Sequence, residues 1–344
     1  MSIIKKALTC FVFFALVLMM VVTYGQEVST ATELNANVLH LTCSTVMVPS
    51  DPICQGLQLF VEKVKEISGG KITADLYHSA QLYPQLEERK ALTQGNIDVA
   101  VVGMFAFDEL PYPGMFVSAY VFTSLDHANR FYNSEWGQKL FDDIAEYVGI
   151  RPLGTAYYGS RNINLRKGFN KEVTRPEDMH GVKMRKAADR AWLALGEALG
   201  ANVVPMAFNE VYLALKTGTI DAQGNALSAD KAMGFYEVTG KIILTNHLVW
   251  NLHYCINEKL WQSLTEQQKE WIQEAADIAH AYATQKQLED ENKLMEEFKA
   301  YGIEFVEPDK DAFIKYARNY YLNNKEVTKD WNWEMYNACQ EMAD

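Results

Sequence analysis

Two arginines hold the recognition chemistry of this sequence: Arg161, in the run Gly159-Ser160-Arg161, and Arg185, which closes Gly181-Val182-Lys183-Met184-Arg185. A guanidinium offers two parallel N–H donors matched to the two oxygens of a carboxylate, so it fixes orientation as well as charge, whereas a lysine supplies a point charge. An arginine at a strand end beside a cleft can stay hydrated while the cleft is open and lose that water only when an anion arrives. The competing reading is a surface ion pair, the usual role of an arginine.

Turnover chemistry is harder to assemble. His247 and His253 are six apart, without the i, i+4 spacing of a helical zinc pair, and no His-Glu-x-x-His occurs. Gly154 and Gly159-Ser160-Arg161 have the glycine spacing of a phosphate loop but lack its lysine. No Gly-x-Ser-x-Gly elbow appears. A clamp needs none of these, and neither an enzymatic role nor a cofactor is expected.

The elements that must position the arginines show an internal echo. Ala91-Leu92-Thr93-Gln94-Gly95-Asn96-Ile97-Asp98 returns as Ala214-Leu215-Lys216-Thr217-Gly218-Thr219-Ile220-Asp221. Each copy reads as a helix end, a glycine suited to the left-handed C′ position, and a strand opening with Ile-Asp. Coincidence is the alternative, since such junctions are common in α/β proteins; repetition means two similar lobes, and two lobes make a cleft. Around the first copy, Leu57, Phe60, Val61, Val64 and Ile67 fall at helical spacing, Ile72, Ala74 and Leu76 alternate as a strand, and a helix over 84–94 leads to a strand over 97–102. Around the second, a strand near 182–184, a helix over 187–199, a strand over 203–205 and the repeat helix follow. Phe105–Phe122 reads as a loop-rich edge. Thr265-Glu266-Gln267-Gln268 is a capping box that opens a helix reaching about Tyr301, long enough to strut both lobes.

Lys5-Lys6, an apolar run over 7–22 and small or polar residues around Gly25 form a secretory signal pattern, with cleavage expected near Gly25. Removing 1–25 leaves 30 Lys+Arg against 44 Asp+Glu, a net charge of −14, which disfavours nucleic acid as a partner. Cys43, Cys54, Cys255 and Cys339 remain, without Cys-x-x-Cys spacing and with either disulfides or buried thiols open.

The run Pro205-Met206-Ala207-Phe208-Asn209-Glu210 through Gly218-Thr219-Ile220-Asp221-Ala222-Gln223-Gly224-Asn225 strongly resembles the signature of solute-binding proteins of tripartite ATP-independent periplasmic (TRAP) transporters, C4-dicarboxylate-binding type. Ser68-Gly69-Gly70-Lys71-Ile72, Gln81-Leu82, Gly159-Ser160-Arg161, Gly181-Val182-Lys183-Met184-Arg185, Gly200-Ala201-Asn202, Phe235-Tyr236-Glu237-Val238 and Asn246-His247 agree in order across nearly the whole mature chain. The resemblance implies an α/β, two-lobed periplasmic binding protein (Venus flytrap, type II-like) with a long helix spanning both lobes. The expected division is 36–158 plus about 251–290 as lobe I, and 159–250 plus about 291–344 as lobe II. It further implies a monomeric periplasmic receptor that closes on a small organic anion, a carboxylate or a sulfonate, and delivers it to a membrane permease. A sensor subunit using the same clamp, or a periplasmic enzyme on this scaffold, are the alternatives.

By position, the resemblance makes Arg185 the paired carboxylate anchor, Arg161 a second anion contact, Asn225 a further contact and Phe208 a ring against the ligand body. Ser44, after the first strand, and Asp189, four residues past Arg185, are candidate polar contacts, with a cap or turn role as the alternative for Ser44 and a pair with Arg190 for Asp189. Trp250 is a candidate aromatic wall, while Trp192 at helical spacing with Leu195 and Leu199 reads as core. Two departures matter. Gly224 and Ala226 stand where the family usually has Glu and Pro. Gly103 and Ala106 stand where sialic-acid binders carry charged side chains, which argues for a ligand smaller than a nine-carbon sugar acid.

Overall fold

Two copies of one β-α-β-α-β unit face each other across a pair of shared strands. The computed structural model describes residues 38–104 and 107–343; the expected signal peptide and Ala106 lie outside the described residues. In the first unit β1 (Leu39–Ser44) lies between parallel β2 (Ile72–Tyr77) and β3 (Val99–Gly103). After the short β4 (Ile150–Pro152) and the long β5 (Ala156–Arg166), the second unit repeats the plan: β6 (Lys183–Lys186) lies between parallel β7 (Asn202–Pro205) and β8 (Ala222–Asn225). The 19-residue β9 (Thr239–Asn257) and the short β10 (Glu304–Val306) complete the sheet. The order β2-β1-β3-β9-β5-β8-β6-β7 is a palindrome of units around β9 and β5, with β4 and β10 also on β9.

The sequence echo has a physical basis at both of its ends. Gly95 and Gly218 end their helices with φ of 74° and 76°, the left-handed conformation that a Cβ disfavours. Asp98 accepts the Thr42 N–H on its carboxylate at 2.7 Å and donates its own N–H to the Thr42 carbonyl at 2.9 Å. Asp221 does the same with Lys183, at 3.1 and 2.8 Å. The aspartates therefore lock the third strand of each unit to its first, and the regular strands start one residue later, at Val99 and Ala222. From Phe107 to Phe122 the chain is irregular apart from the 3-10 helix Tyr112–Val117, as its composition suggests, but it is not a rim: Met115, Phe116, Val117 and Phe122 are buried, and Phe116 packs on Phe122, Phe131 and Tyr132.

β5 and β9 join the units, and their pairing breaks where they cross. Between the pairs Arg161↔Leu248 and Ile163↔Ile243, β9 advances five residues while β5 advances two. The extra residues bulge, with Asn246 at φ 45° and its N–H held by Asn162 Oδ1 at 2.9 Å. The helix Glu266–Ala300 runs 35 residues, about 50 Å at the usual rise. Its capping box is formed, with Gln268 N–H on Thr265 Oγ1 at 3.3 Å and Thr265 N–H on Gln268 Oε1 at 3.0 Å. It packs on the helix Pro52–Ile67 of the first unit, on β5, and on the helix Leu227–Ala232 of the second. At the crossing, its Glu291 accepts the Tyr157 hydroxyl at 2.9 Å. The last helix, Trp333–Glu341, returns to the first unit, where the Cys339 carbonyl lies 2.7 Å from His127 Nε2. The four described cysteines are free and buried, which decides for thiols.

The strut lies close to the first unit because Gly56 has no side chain. A Cβ there would come within 2.1 Å of the Tyr254 hydroxyl and 2.9 Å of Ala283 Cβ. Gly56→Leu is therefore expected to cost about 1–3 kcal/mol or more through overpacking. An unchanged denaturant midpoint for that variant would remove this contact from the account of the long helix.

Candidate functional site

A cleft of about 570 Å³, mouth included, opens where the two units and the crossing strands meet. Met47 and Gln85 reach it from the first unit, and Tyr158, Arg161, Trp250 and Leu252 from β5 and β9. The second unit contributes Arg185, Lys186, Ala187, Trp192, Phe208, Gly224 and Asn225. Arg185, Lys186 and Asn225 stand at the carboxyl ends of parallel strands β6 and β8, where sheets of this kind leave a crevice for ligands.

Arg161 is 9 % exposed and Arg185 7 %. One Arg161 nitrogen donates to the Gly224 carbonyl and to Asn225 Oδ1, and its guanidinium carbon lies 4.7 Å from the Trp192 ring centre and 5.8 Å from that of Trp250. Its Nε has no partner among the described residues. Arg185 gives Nε to the Met206 carbonyl at 2.9 Å and lies 5.6 Å from the Phe208 ring centre. Among the described residues neither arginine forms an ion pair with a carboxylate. Burial lowers the Arg161 pKa to about 10, against the partial support of Tyr158 and Asp230. Burial and then the Arg161 charge lower Arg185 to about 9. Two desolvated cations with unfilled donors are costly unless an anion completes them.

The second unit braces Arg161 through a buried polar chain. Asn225 Nδ2 donates to Gln223, Gln223 Nε2 donates to Asp230 at 2.7 Å, and Asn164 also donates to Asp230. Burial raises Asp230 to a pKa of about 7, with the Gln223 and Asn164 bonds and the Arg161 charge acting against that rise. Asn225 thus lines the cleft and holds Arg161 in place. Tyr158, from the crossing strand, donates to Asp51 at 2.6 Å, which in turn caps the helix Pro52–Ile67.

The remaining candidates take different places. Phe208 lines the cleft half-buried and meets Phe235 edge-on at 5.5 Å. Trp250 lines it too, edge-on to Trp192 at 4.9 Å. Gly103 makes that position possible, since a Cβ there would lie 2.5 Å from Trp250 Cζ2. Ser44 is outside the cleft lining; its hydroxyl donates to buried Glu88 at 2.6 Å. Asp189 is also outside it and caps the helix Arg190–Ala198 by accepting the Ala191 N–H at 2.9 Å. Arg190 pairs with Asp330 rather than with Asp189.

Lys186, Tyr158, Met47, Gln85 and Leu252 were not anticipated as cleft residues. Trp192 reads as core by its spacing and is buried, yet it also lines the cleft, and its indole Nε1 has no partner among the described residues. Lys186 directly follows Arg185 on a strand whose last three residues are all buried, a burial that its position in the sequence did not signal.

The family model described as bacterial extracellular solute-binding protein, family 7, matches residues 43–326, and the chain belongs to this family. It is similar to the sialic acid-binding periplasmic protein of Vibrio cholerae, 32 % identical over 74 % of this chain and 79 % of that protein. It is similar to the C4-dicarboxylate-binding periplasmic protein of Rhodobacter capsulatus, at 27 % identity over 75 % of this chain and 77 % of that protein. Among solved structures, a TRAP periplasmic solute binding protein of Roseobacter denitrificans with bound 3-deoxy-D-manno-oct-2-ulosonic acid has a TM-score of 0.84 at 31 % identity. That match covers 89 % of this chain and all of the other. A second from the same organism, with bound β-D-glucuronate, has a TM-score of 0.81 at 25 % identity over 88 % of this chain and 99 % of that one. The two-lobed fold and the membership of a family of extracytoplasmic solute receptors, rather than enzymes, are thereby established.

Proposed function

We propose that this chain is the extracytoplasmic receptor of a TRAP uptake system and that it clamps a compact sugar-acid-type carboxylate between its lobes for delivery to the membrane permease. The observation that carries this is the pair of buried guanidiniums, Arg161 and Arg185, facing one cleft without a carboxylate partner among the described residues. The carboxylate takes the place of the missing anion, its two oxygens matched to the Arg185 fork, with Arg161 as the second cation. Phe208, Trp250 and Trp192 bound the ligand body, and the unpartnered Trp192 N–H serves a hydroxyl. Relatives of this fold hold an octulosonic acid and a glucuronate, which fits one acid on a body of that chemistry.

Lobe I (36–158 with about 251–290) and lobe II (159–250 with about 291–344, less the last helix Trp333–Glu341, which packs back on the first unit) move about the bulged crossing of β5 and β9. The receptor is exported by its N-terminal signal, works in the periplasm as a monomer and binds no nucleic acid. Mass spectrometry of copurifying small molecules, followed by thermal-shift screening of sugar acids and short carboxylates, tests the ligand class. Failure of every carboxylate to raise the melting temperature would refute it. Closure predicts a smaller radius of gyration with saturating ligand than without it. Superimposable scattering profiles in the two conditions would count against a moving clamp.

A further inference from the structure

Lys186 is the cleft residue that neither its neighbours nor the two arginines explain. It is 2 % exposed, lines the cleft, and its Nζ has no hydrogen-bond partner among the described residues. The fold makes room for it at both ends of the side chain. At Gly196 a Cβ would come within 3.2 Å of Lys186 Cγ and 3.5 Å of Cε, so the absent side chain leaves a channel for the stem. At Gly224 a Cβ would come within 3.1 Å of Nζ, so the amine occupies the space that a side chain at 224 would fill. Position 224 is also one of those where this sequence departs from the pattern that the resemblance implies.

Among the described residues, the groups facing the amine are cationic or neutral. Arg161 reaches it from β5, Arg185 precedes it on β6, and His247 approaches from β9, its Cε1 also 3.3 Å from the position of a Cβ at 224. The helix Arg190–Ala198 presents Trp192, whose ring centre is 5.9 Å from Nζ, and Gly196. Strand β8 presents Gly224 and Asn225, β7 presents Val203, and Met184 shares its own strand. The surrounding carboxylates are engaged elsewhere: Asp230 by Asn164 and Gln223, Asp189 as a helix cap, and Glu210 with the Ala207 N–H at 3.2 Å. Burial, then Arg161 and Arg185, hold the Lys186 amine well below the ordinary lysine range. Burial, then Lys186 and Arg161, likewise hold His247 in its neutral form.

We propose that Lys186 is a specificity-determining residue of this cleft: it takes up a proton as the anion enters and, as an ammonium, contacts the anionic head of the ligand beside Arg185. The receptor then captures an anion together with a proton. This rests on the reading of the cleft as an anion site. The incoming negative charge offsets the repulsion from the two guanidiniums, and the ammonium has a partner only in the loaded cleft.

Calorimetry with 3-deoxy-D-manno-oct-2-ulosonic acid as the probe, in phosphate and in Tris buffers of different ionisation heat, counts the proton. Wild type is expected to take up about one proton per probe bound, and its affinity to fall about tenfold per pH unit in the alkaline range. Lys186→Met is expected to bind more weakly with no uptake and a flat pH profile. Binding without proton uptake in wild type would overturn the proposal. A second arm needs no ligand and is run on Lys186→Met and Lys186→Gln. An unfolded lysine titrates near about 10.4, the folded one lower, so between the two the unfolded chain binds the extra proton. Empty wild type should gain stability relative to both variants as pH rises towards that unfolded value. Parallel melting-temperature profiles would overturn the proposal even where the probe does not bind, whereas a probe that fails to bind beside a diverging profile faults the ligand class alone.

Discussion

Arg185→Ala is expected to fold as wild type does and to lose about 2–5 kcal/mol of anion binding, since one member of a desolvated charge pair is gone. The empty cleft supplies the reason for the first half. Arg185 is buried against Arg161 with only the Met206 carbonyl on its Nε, so its removal relieves repulsion and desolvation in the unliganded protein. The variant should therefore melt at or above the temperature of empty wild type and gain little when ligand is added. Arg185→Lys should also bind weakly, because an ammonium cannot give two parallel bonds to one carboxylate. A variant within twofold of wild type by calorimetry would show that the anion sits elsewhere. A variant that loses its fold would show that Arg185 is structural.

How much of this was legible in the sequence follows from how local each cause is. The helix-closing Gly95 and Gly218 act within a few residues of their own chain position and recur in register with the aspartates three residues on, so the two units could be read directly, whereas the bonds those aspartates make, to Thr42 and Lys183, reach 56 and 38 residues back and could not. The capping box at Thr265 is equally local. Lys186 was illegible for the opposite reason. A lysine is almost never buried without a partner, and what permits it here is the absence of two side chains, at Gly196 and Gly224, on other elements. Ser44 and Asp189 have the composition of ligand contacts, but their hydrogen bonds go to Glu88 and to a helix end. Sequence position could not separate those uses. Nor could it show that Asn162 and Asn246, 84 residues apart, pin the bulge at which the crossing strands lose register.

Trp250→Ala is expected to weaken ligand binding by about 1–3 kcal/mol, the range for a buried aromatic contact. The ring is 4 % exposed, stands edge-on to Trp192, and lies 5.8 Å from the Arg161 guanidinium, so its loss strips the wall and also loosens the cation beside it. Because deleting so large a buried ring also costs folding stability, Gly103→Ala provides the gentler probe. Its new Cβ, 2.5 Å from Trp250 Cζ2, must push the indole out of place while every ring atom remains. That variant should therefore lose affinity without losing an aromatic, and the tryptophan fluorescence change on ligand addition should shrink in both. Wild-type affinity in Trp250→Ala would remove the aromatic wall and leave the arginines standing. The same geometry bears on ligand size. Trp250 fills the space beside Gly103, so no charged side chain at 103 reaches out to a polyol tail. Although a relative 32 % identical is a sialic acid-binding protein, this cleft is expected to favour acids shorter than nine carbons. Sialic acid binding as tightly as the best shorter sugar acid would overturn that expectation.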